Sequence, residues 1–575
     1  MQALIDFCPV QTGQAGALRG AFDAPLQTLV AHTPHEVRPL LATVDRLARE
    51  GRWCVGYVRY EAAPAFDTAL AVHAADGPLA WFGVYDKARD WPTEETPAPA
   101  AVAWHNSLTR EAFNRNMDAI HQAIGAGELY QINYTAPLLG ELQGEPRALF
   151  HALQRAQPGG YAAFIDSGVE QVLSVSPELF FDWHGQHILT RPMKGTAPRG
   201  ANAEQDAQQV AQLRASPKEQ AENVMIVDLL RNDLSRIAEP HSVRVPELFR
   251  IEALPTVFQM SSDVTATTRP GTTLADVFAA LFPCGSVTGA PKVQTMQLIR
   301  TLEREPRGIY CGAIGVVRPG GHATFNVAIR TVTVQDGAAR CGIGSGITFD
   351  ATAAGEWQEW HHKRAFLKRA SQPFSLLETL RLEDGRPRDM QRHLARMARA
   401  AQHFGYPFAV QSLEHALAQL AQTHPQGVWR VRLLLDAAGG VDAQAYAMEA
   451  TPSRVRLRLG KAPFEAAHSE FVRYKTTQRA HYDAVAPTEA GVFDTLLWNT
   501  QGELTECTRS NIAVRLDGRW LTPPLRCGLL GGVARTRYLE EGRIEEDVIR
   551  IEDLQRAQGL AVFNSLRGWI EAERV

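Results

Sequence analysis

The sequence lacks most of the features that would tie it to a membrane, a nucleic acid or an oxidising compartment. No apolar stretch reaches the roughly 20 residues needed to span a bilayer. The start, Met-Gln-Ala-Leu-Ile-Asp-Phe-Cys, has no basic segment followed by an apolar core, so no signal peptide is expected. Charge of one sign is not in excess: 59 Lys+Arg face 63 Asp+Glu, for a net charge of −4. That balance gives no reason to expect nucleic acid or an acidic membrane as a partner. The seven cysteines (8, 54, 284, 311, 341, 507, 527) include no Cys-x-x-Cys pair. This argues for reduced thiols, a cytoplasmic location and no structural zinc. There are no repeats and no long tract of low complexity.

What is present is a chain of 575 residues, 45% hydrophobic and 21% charged, too long for a single core, so two or more domains are expected. The linker-like piece WPTEETPAPA is read as a surface loop, because strand-like patterning resumes directly after it. A better boundary falls at Ser371-Gln372-Pro373-Phe374, dividing the chain into residues 1–370 and 371–575. The first part mixes β-rich runs (QVLSV, ATFNVAIRTVTV) with amphipathic helices (AENVMIVDLLRNDL). The second starts with a strand (FSLLETLRL), then a helix (RDMQRHLARMARAAQHFG), then strands such as VWRVRLLLD. Neither shows regular βαβ spacing, so both are read as α+β.

Two helical segments in the first part carry Glu-x-x-Glu: Glu219 with Glu222, and Glu356 with Glu359. Residues three apart share a helix face, so each pair can present oxygens in one direction, as magnesium requires. Ser216-Pro217-Lys218-Glu219 also matches a capping box, which makes Glu222 the better ligand of its pair. On spacing alone a solvated surface role for these glutamates is the stronger reading, because Glu-x-x-Glu is common on helix surfaces.

The order of motifs adds a resemblance. YQINYT, SPELF, RPMKGTAPRG, AENVMIVDLLRND, GSVTGAPK, RGIYCGAIG, FNVAIRT, GIGSGIT and EWQEWHHK follow one another as in the chorismate-utilising enzymes. The resemblance implies two packed antiparallel sheets flanked by helices. It implies Mg2+ held by Glu222 and Glu359, with Glu219 and Glu356 behind them, and chorismate contacted by Gln131, Thr196, Tyr310, Arg330, Gly344 and Lys363. The glycines of GIGSGIT and GSVTGAPK would let backbone N–H groups approach the substrate's carboxylates. Gln131 stands where isochorismate-forming relatives have a water-activating lysine. Lys194 occupies a position that resembles the lysine of aminodeoxychorismate synthases, where anthranilate synthases usually have alanine. A lysine amine there, desolvated enough to be partly neutral, can attack C2 of chorismate, with Glu178 passing a proton to the leaving C4 hydroxyl. Gln259 departs from the histidine of many relatives. No Gly-x-Cys-x-Gly nucleophile elbow occurs, so a separate glutamine amidotransferase subunit is expected to supply ammonia. Cys311 reads as a small buried residue.

The second part resembles the fold-type IV pyridoxal-phosphate enzymes, in particular aminodeoxychorismate lyases, through FSLLETLR, HLARM, RYKTTQR, GELTECTRSNI, CGLLGGVARTR and FNSLRG. The resemblance implies that Lys475, after a strand EFVRY, carries pyridoxal 5'-phosphate, with Glu506 at the pyridine nitrogen. Arg396 and the backbone at Gly532, Val533 and Ala534 would hold the phosphate. Ala534 replaces a usual threonine, so one hydroxyl contact would be lost. Thr379 is expected to assist proton relay. A homodimer through this domain fits the resemblance. Two alternatives stay open: a lyase-like module that only dimerises or docks, and an anthranilate synthase component fused to an aminotransferase.

Overall fold

The computed structural model describes residues 2–10, 18–92, 100–198, 203–253 and 257–575. The segment read as a surface loop falls mostly on 93–99, outside these residues. The chain divides into two compact units, Met1–Gln372 and Pro373–Val575. Among the described residues no helix is long and apolar enough to cross a membrane. The seven cysteines form no disulfide, and all but Cys8 are buried.

Alternation along the strands of the first unit sorts side chains between two faces. In Ala3–Phe7, Ile5 and Phe7 join one core while Leu4 joins another; in Trp53–Val58, Val55 and Tyr57 face inward while Cys54 and Val58 face out. The strands form two ten-stranded antiparallel sheets. A core rich in aromatics (Phe7, Phe22, Tyr57, Trp81, Tyr161) draws on both sheets and packs them together. Helices cover the outer faces. Pro34–Arg49, Pro217–Ser235 and Leu274–Leu281 pack on one sheet; Arg110–Gly125, Pro146–Ala156 and Ala353–Lys363 pack on the other. The first of these starts on a Thr33–Glu36 capping box with proline at the helix start.

One continuous run behaves differently from its pattern. ATFNVAIRTVTV becomes two strands, Ala323–Val327 and Thr331–Gln335, which belong to different sheets. Arg330 makes the break, with φ of 49° in the left-handed region that side chains disfavour.

In the second unit, a four-stranded antiparallel sheet packs on the helices Met390–Phe404 and Val410–Thr423. A separate eight-stranded mixed sheet holds Arg454–Leu459 parallel to both Asp494–Trp498 and Gly568–Arg574. One expectation is corrected here. EFVRY is not a strand: Glu470–Arg473 is a short helix, capped by Ser469, whose side chain accepts the Phe471 N–H at 3.2 Å. Its apolar residues sit in two cores, Phe471 against Phe374 and Phe404, Val472 against Phe464. Alternating apolar residues over so short a stretch do not separate strand from helix turn.

Candidate active sites

In the first unit, the strand Ala338–Ile347 sets the site. Gly342, Gly344 and Gly346 share one face; Ser345 points the other way, donating to Glu356 and accepting the Trp360 indole N–H at 2.9 Å. The glycine face has no room for a methyl group. A Cβ at Gly342 would lie 2.2 Å from the Tyr310 ring, and one at Gly344 would lie 2.5 Å from the Thr135 methyl. At Gly346 it would lie 2.4 Å from Lys194 Nζ and 2.6 Å from Gln131 Nε2. The lysine amine and the glutamine amide therefore meet over one bare Cα.

Gln131 is fully buried, and neither its Nε2 nor its Oε1 has a hydrogen-bond partner; Glu178 Oε1 is also unpaired. Leaving such atoms unsatisfied costs about 1–3 kcal/mol each. Three of them around one lysine make a surface that a polar ligand would satisfy. Burial pushes the Glu178 carboxyl up to about 7, against the pull of a Ser286 hydrogen bond and the Lys194 charge.

The Glu-x-x-Glu pairs lie on Pro217–Ser235 and Ala353–Lys363. Only one limb of the capping box forms. Ser216 accepts the Glu219 N–H at 3.4 Å, but its own N–H goes to the Leu213 carbonyl, which leaves the Glu219 carboxylate free of the cap. That carboxylate lies against Gly195, where an added Cβ would be 3.1 Å from its Oε2. Glu222 is 3.9 Å from both Lys194 and Lys218, and Glu359 is 2.7 Å from Lys363, which also donates to the Gly344 carbonyl at 3.0 Å. Burial raises Glu219, and the charges of Glu222 and Glu359 raise it further, so carboxylates from both helices act on one another. Burial raises Glu356 against its bond to Ser345; burial would raise Glu359 too, but Lys363 outweighs it and holds it below the usual value. Among the described residues no three metal-binding side chains are close enough to enclose an ion, and lysine amines sit among the carboxylates. The donor set nonetheless fits magnesium: hard oxygens from two helices, mutually repelling, for an ion that keeps several waters.

The other expected contacts are more dispersed. Thr196 gives its hydroxyl to Gln259 at 3.0 Å, and Gln259 donates to the Gly195 carbonyl at 2.8 Å. Gln259 thus braces the Lys194 strand from its neighbour. Arg330 donates to Gln157 at 2.6 Å, and burial lowers its guanidinium to about 10. In GSVTGAPK, the space beside Gly285 is filled by Leu229, and Gly289 abuts the Gln131 carbonyl, so both glycines serve close packing of the chain. Cys311 is buried, as expected, with φ of 65°.

In the second unit, a cavity of about 630 Å3 gathers Lys475, Glu506, Arg396, Thr379, Gly532 and Val533. Burial, then the charges of Arg396 and Arg479, lowers the Lys475 amine to about 8. Burial raises Glu506 to about 7, although Tyr482 donates to it at 2.6 Å and Asn511 at 3.4 Å. Gly532 is the residue before the helix Val533–Glu540, and a Cβ there would lie 1.9 Å from Asn511 Oδ1, so only glycine fits. Ala534 does not line the cavity; it is buried with Tyr538, Ile544 and Phe563. The Ala534 side chain thus belongs to an apolar core. The remaining set fits pyridoxal phosphate: a desolvated lysine, a buried carboxyl, a guanidinium and a helix N-terminus around one cavity.

Two residues missed in the sequence organise Arg396. Glu378, fully enclosed, accepts from its Nε at 2.8 Å and its Nη2 at 2.6 Å, while His393 Nδ1 lies 2.6 Å from the same carboxylate. Burial would raise Glu378, but Arg396 and His393 hold it at about 2. Arg396 Nη1 reaches the Gly531 carbonyl at 3.1 Å. The available signal was His393 three residues before Arg396 on one helix face.

Comparison with known proteins is consistent with this division. Residues 12–369 match the model of the chorismate binding enzymes, and residues 375–575 that of amino-transferase class IV. Aminodeoxychorismate synthase component 1 of Klebsiella aerogenes is 40% identical over 305 residues, 52% of this chain and 68% of that protein. Its Salmonella typhimurium counterpart is 37% identical over 294 residues, 51% of this chain and 64% of that protein. The chain thus spans about two thirds of the length of these relatives. Anthranilate synthase component I from Streptococcus pneumoniae shares the fold, with a TM-score of 0.52 and 24% identity, over 62% of this chain and 95% of that one.

Proposed function

The chain belongs to the chorismate binding enzyme family, with an amino-transferase class IV domain behind it, and on that footing we propose that it makes 4-aminobenzoate in two steps. The first unit would convert chorismate and ammonia to 4-amino-4-deoxychorismate; the second would split that product into 4-aminobenzoate and pyruvate. The observation that carries the first step is Lys194 Nζ over Gly346, beside the unpaired Gln131 amide and the buried Glu178.

Lys194 attacks C2 of chorismate, the ring double bond shifts, and the C4–O bond breaks. Glu178, with its carboxyl near 7, delivers the proton that lets the oxygen leave as water. Ammonia then bonds to C4, the C2–N bond breaks, and Lys194 is released. Gln131 is an amide and cannot deprotonate a water, which disfavours hydroxylation at C2. Glu222 and Glu359, backed by Glu219 and Glu356, would hold Mg2+, a Lewis acid for the ring carboxylate. Arg330, Tyr310, Thr196, Gly344 and Lys363 are the proposed substrate contacts. A glutamine amidotransferase partner is the proposed ammonia source.

In the second unit, pyridoxal phosphate would supply an electron sink at the amine-bearing carbon. Arg396 and the Gly532–Val533 backbone would hold the phosphate. Glu506, near 7, would share a proton with the pyridine nitrogen. Lys475, lowered to about 8, has enough neutral amine near pH 8 to take the C4 proton, which opens the way for the enolpyruvyl group to leave C3. Thr379, which lines the same cavity, would relay that proton.

The test is to incubate the whole protein with chorismate, magnesium, ammonium and pyridoxal phosphate and identify the aromatic product by chromatography. 4-Aminobenzoate with an equal amount of pyruvate is expected. Anthranilate would overturn the reading of Lys194, and 4-amino-4-deoxychorismate accumulating alone would overturn that of Lys475.

A further inference from the structure

A charge taken even partly out of water is costly unless something answers it. The first unit holds such a charge at Arg330, in the turn between Ala323–Val327 and Thr331–Gln335. Its guanidinium packs 5.4 Å from the Phe366 ring, and no Asp or Glu oxygen lies within 4.0 Å of it among the described residues. The leading charge that acts on it is a like one: burial, then Arg369, lowers it to about 10. Tyr310, whose ring closes on Gly342 of the glycine strand, also acts on it, which sets Arg330 at the edge of the substrate face.

One neutral group answers it. Arg330 Nη1 donates to Gln157 Oε1 at 2.6 Å, and among the described residues this is the only hydrogen bond its side chain makes. Gln157 is itself buried and stands at the end of the helix Pro146–Ala156, where its backbone N–H donates to the Leu153 carbonyl at 2.8 Å. Leu149, Phe150 and Leu153 root that helix in the core, and Pro158 follows directly, which disfavours a further helical turn. The amide is thus presented from a fixed point. An amide carbonyl aims a guanidinium and leaves its charge intact. A carboxylate at the same position would grip it as a two-point fork and cancel the charge.

We propose that Gln157 is a positioning residue of the first site: it aims Arg330 at a substrate carboxylate while keeping the charge of that guanidinium available. The bond to Gln157 occupies Nη1 and leaves the other N–H donors of the guanidinium for the substrate. The neutrality of the amide is essential, because a charged partner would compete with the substrate for the same group. This deepens the synthase reading and rests on it for the identity of the substrate, chorismate, which carries two carboxylates.

The experiment uses the full chain with magnesium and ammonium. KM and kcat for chorismate consumption, the melting temperature, and calorimetric binding of 3-(carboxymethoxy)benzoate, a dicarboxylate that cannot undergo the reaction, are measured for the unaltered protein, Gln157→Glu and Gln157→Ala. Gln157→Glu should melt no lower than the unaltered protein, because it pairs a lone charge. It should nevertheless raise KM and weaken probe binding by roughly ten- to hundredfold, the range for a charge-assisted hydrogen bond, with kcat changed far less than KM. Gln157→Ala should raise KM by only roughly three- to tenfold, because the charge remains and its aim alone is lost. A merely structural amide would move stability and KM together. Gln157→Glu that binds the probe as the unaltered protein does would overturn the proposal, and so would a loss of binding accompanied by a lower melting temperature. Should the unaltered protein consume no chorismate while Gln157→Glu still loses the probe with its fold intact, the positioning role stands and the synthase reading falls.

Discussion

The two sites solve opposite electrostatic problems. In the first unit, carboxylates crowd together and lysines are set among them: Lys194 near Glu222, Lys363 on Glu359, Glu178 close to neutral. In the second, guanidiniums predominate, and of the six that line the cavity only Arg396 has a carboxylate within 4.0 Å among the described residues. A crowded anionic site is ready for a cation and for an amine that acts as a nucleophile. An under-compensated cationic site is ready for anions. The difference teaches that the two lysines keep different company: Lys475 is lowered by burial and two arginines, while Lys194 lies 3.9 Å from Glu222.

Substitutions can break that contrast, starting with the largest effect. Lys475→Ala should abolish the absorbance of bound cofactor and stop 4-aminobenzoate formation, while 4-amino-4-deoxychorismate accumulates; normal 4-aminobenzoate output from this variant would sink the lyase assignment. Lys194→Ala should do the reverse, losing chorismate consumption and leaving the cofactor spectrum untouched.

Glu178→Gln should slow chorismate amination by roughly 10²–10⁴-fold, the range for a positioned proton donor. It should also remove the alkaline limb of the pH profile, because the acid form is lost as pH rises through about 7. The sign for stability follows from the same shift. The folded value lies above the ordinary 4.5, so the group costs nothing below about 4.5, weighs increasingly against folding as pH rises from there to about 7, and costs its full amount above that. Urea melts of Glu178→Gln should therefore match the unaltered protein at low pH and exceed it at pH 8.

Gly346→Ala should cut amination by about 10²-fold, since displacing Lys194 and Gln131 by about an ångström has that scale. Unchanged amination rates in this variant would mean that the two groups do not need to meet there. Smallest of all, Glu378→Gln should weaken pyridoxal phosphate binding by about tenfold through a looser Arg396, read by equilibrium dialysis with chorismate amination unaffected.

Much of the first unit was legible because its motifs are ordered and its glycines alternate. Gly342, Gly344 and Gly346, two apart in sequence, form one bare face as period-two patterning requires. The second site was only half legible. Lys475 and Glu506 could be named, but Glu378 could not, because a buried glutamate next to a threonine on a strand gives no sign of the helix it will meet. EFVRY failed for the general reason that local pattern yields to capping and tertiary packing in a segment this short.

The turn at Arg330 carries one further consequence. Between Val327 and Thr331 the chain leaves one sheet and enters the other with no excursion to the surface, so the two sheets are stitched at that point as two cloths are by a single thread. Neither layer can slide or peel without pulling on its neighbour, and the seam ends on an arginine expected to meet the substrate. Amide protons on both sides of the seam should therefore exchange together, in one opening event, and a ligand that braces Arg330 should slow exchange in both layers alike.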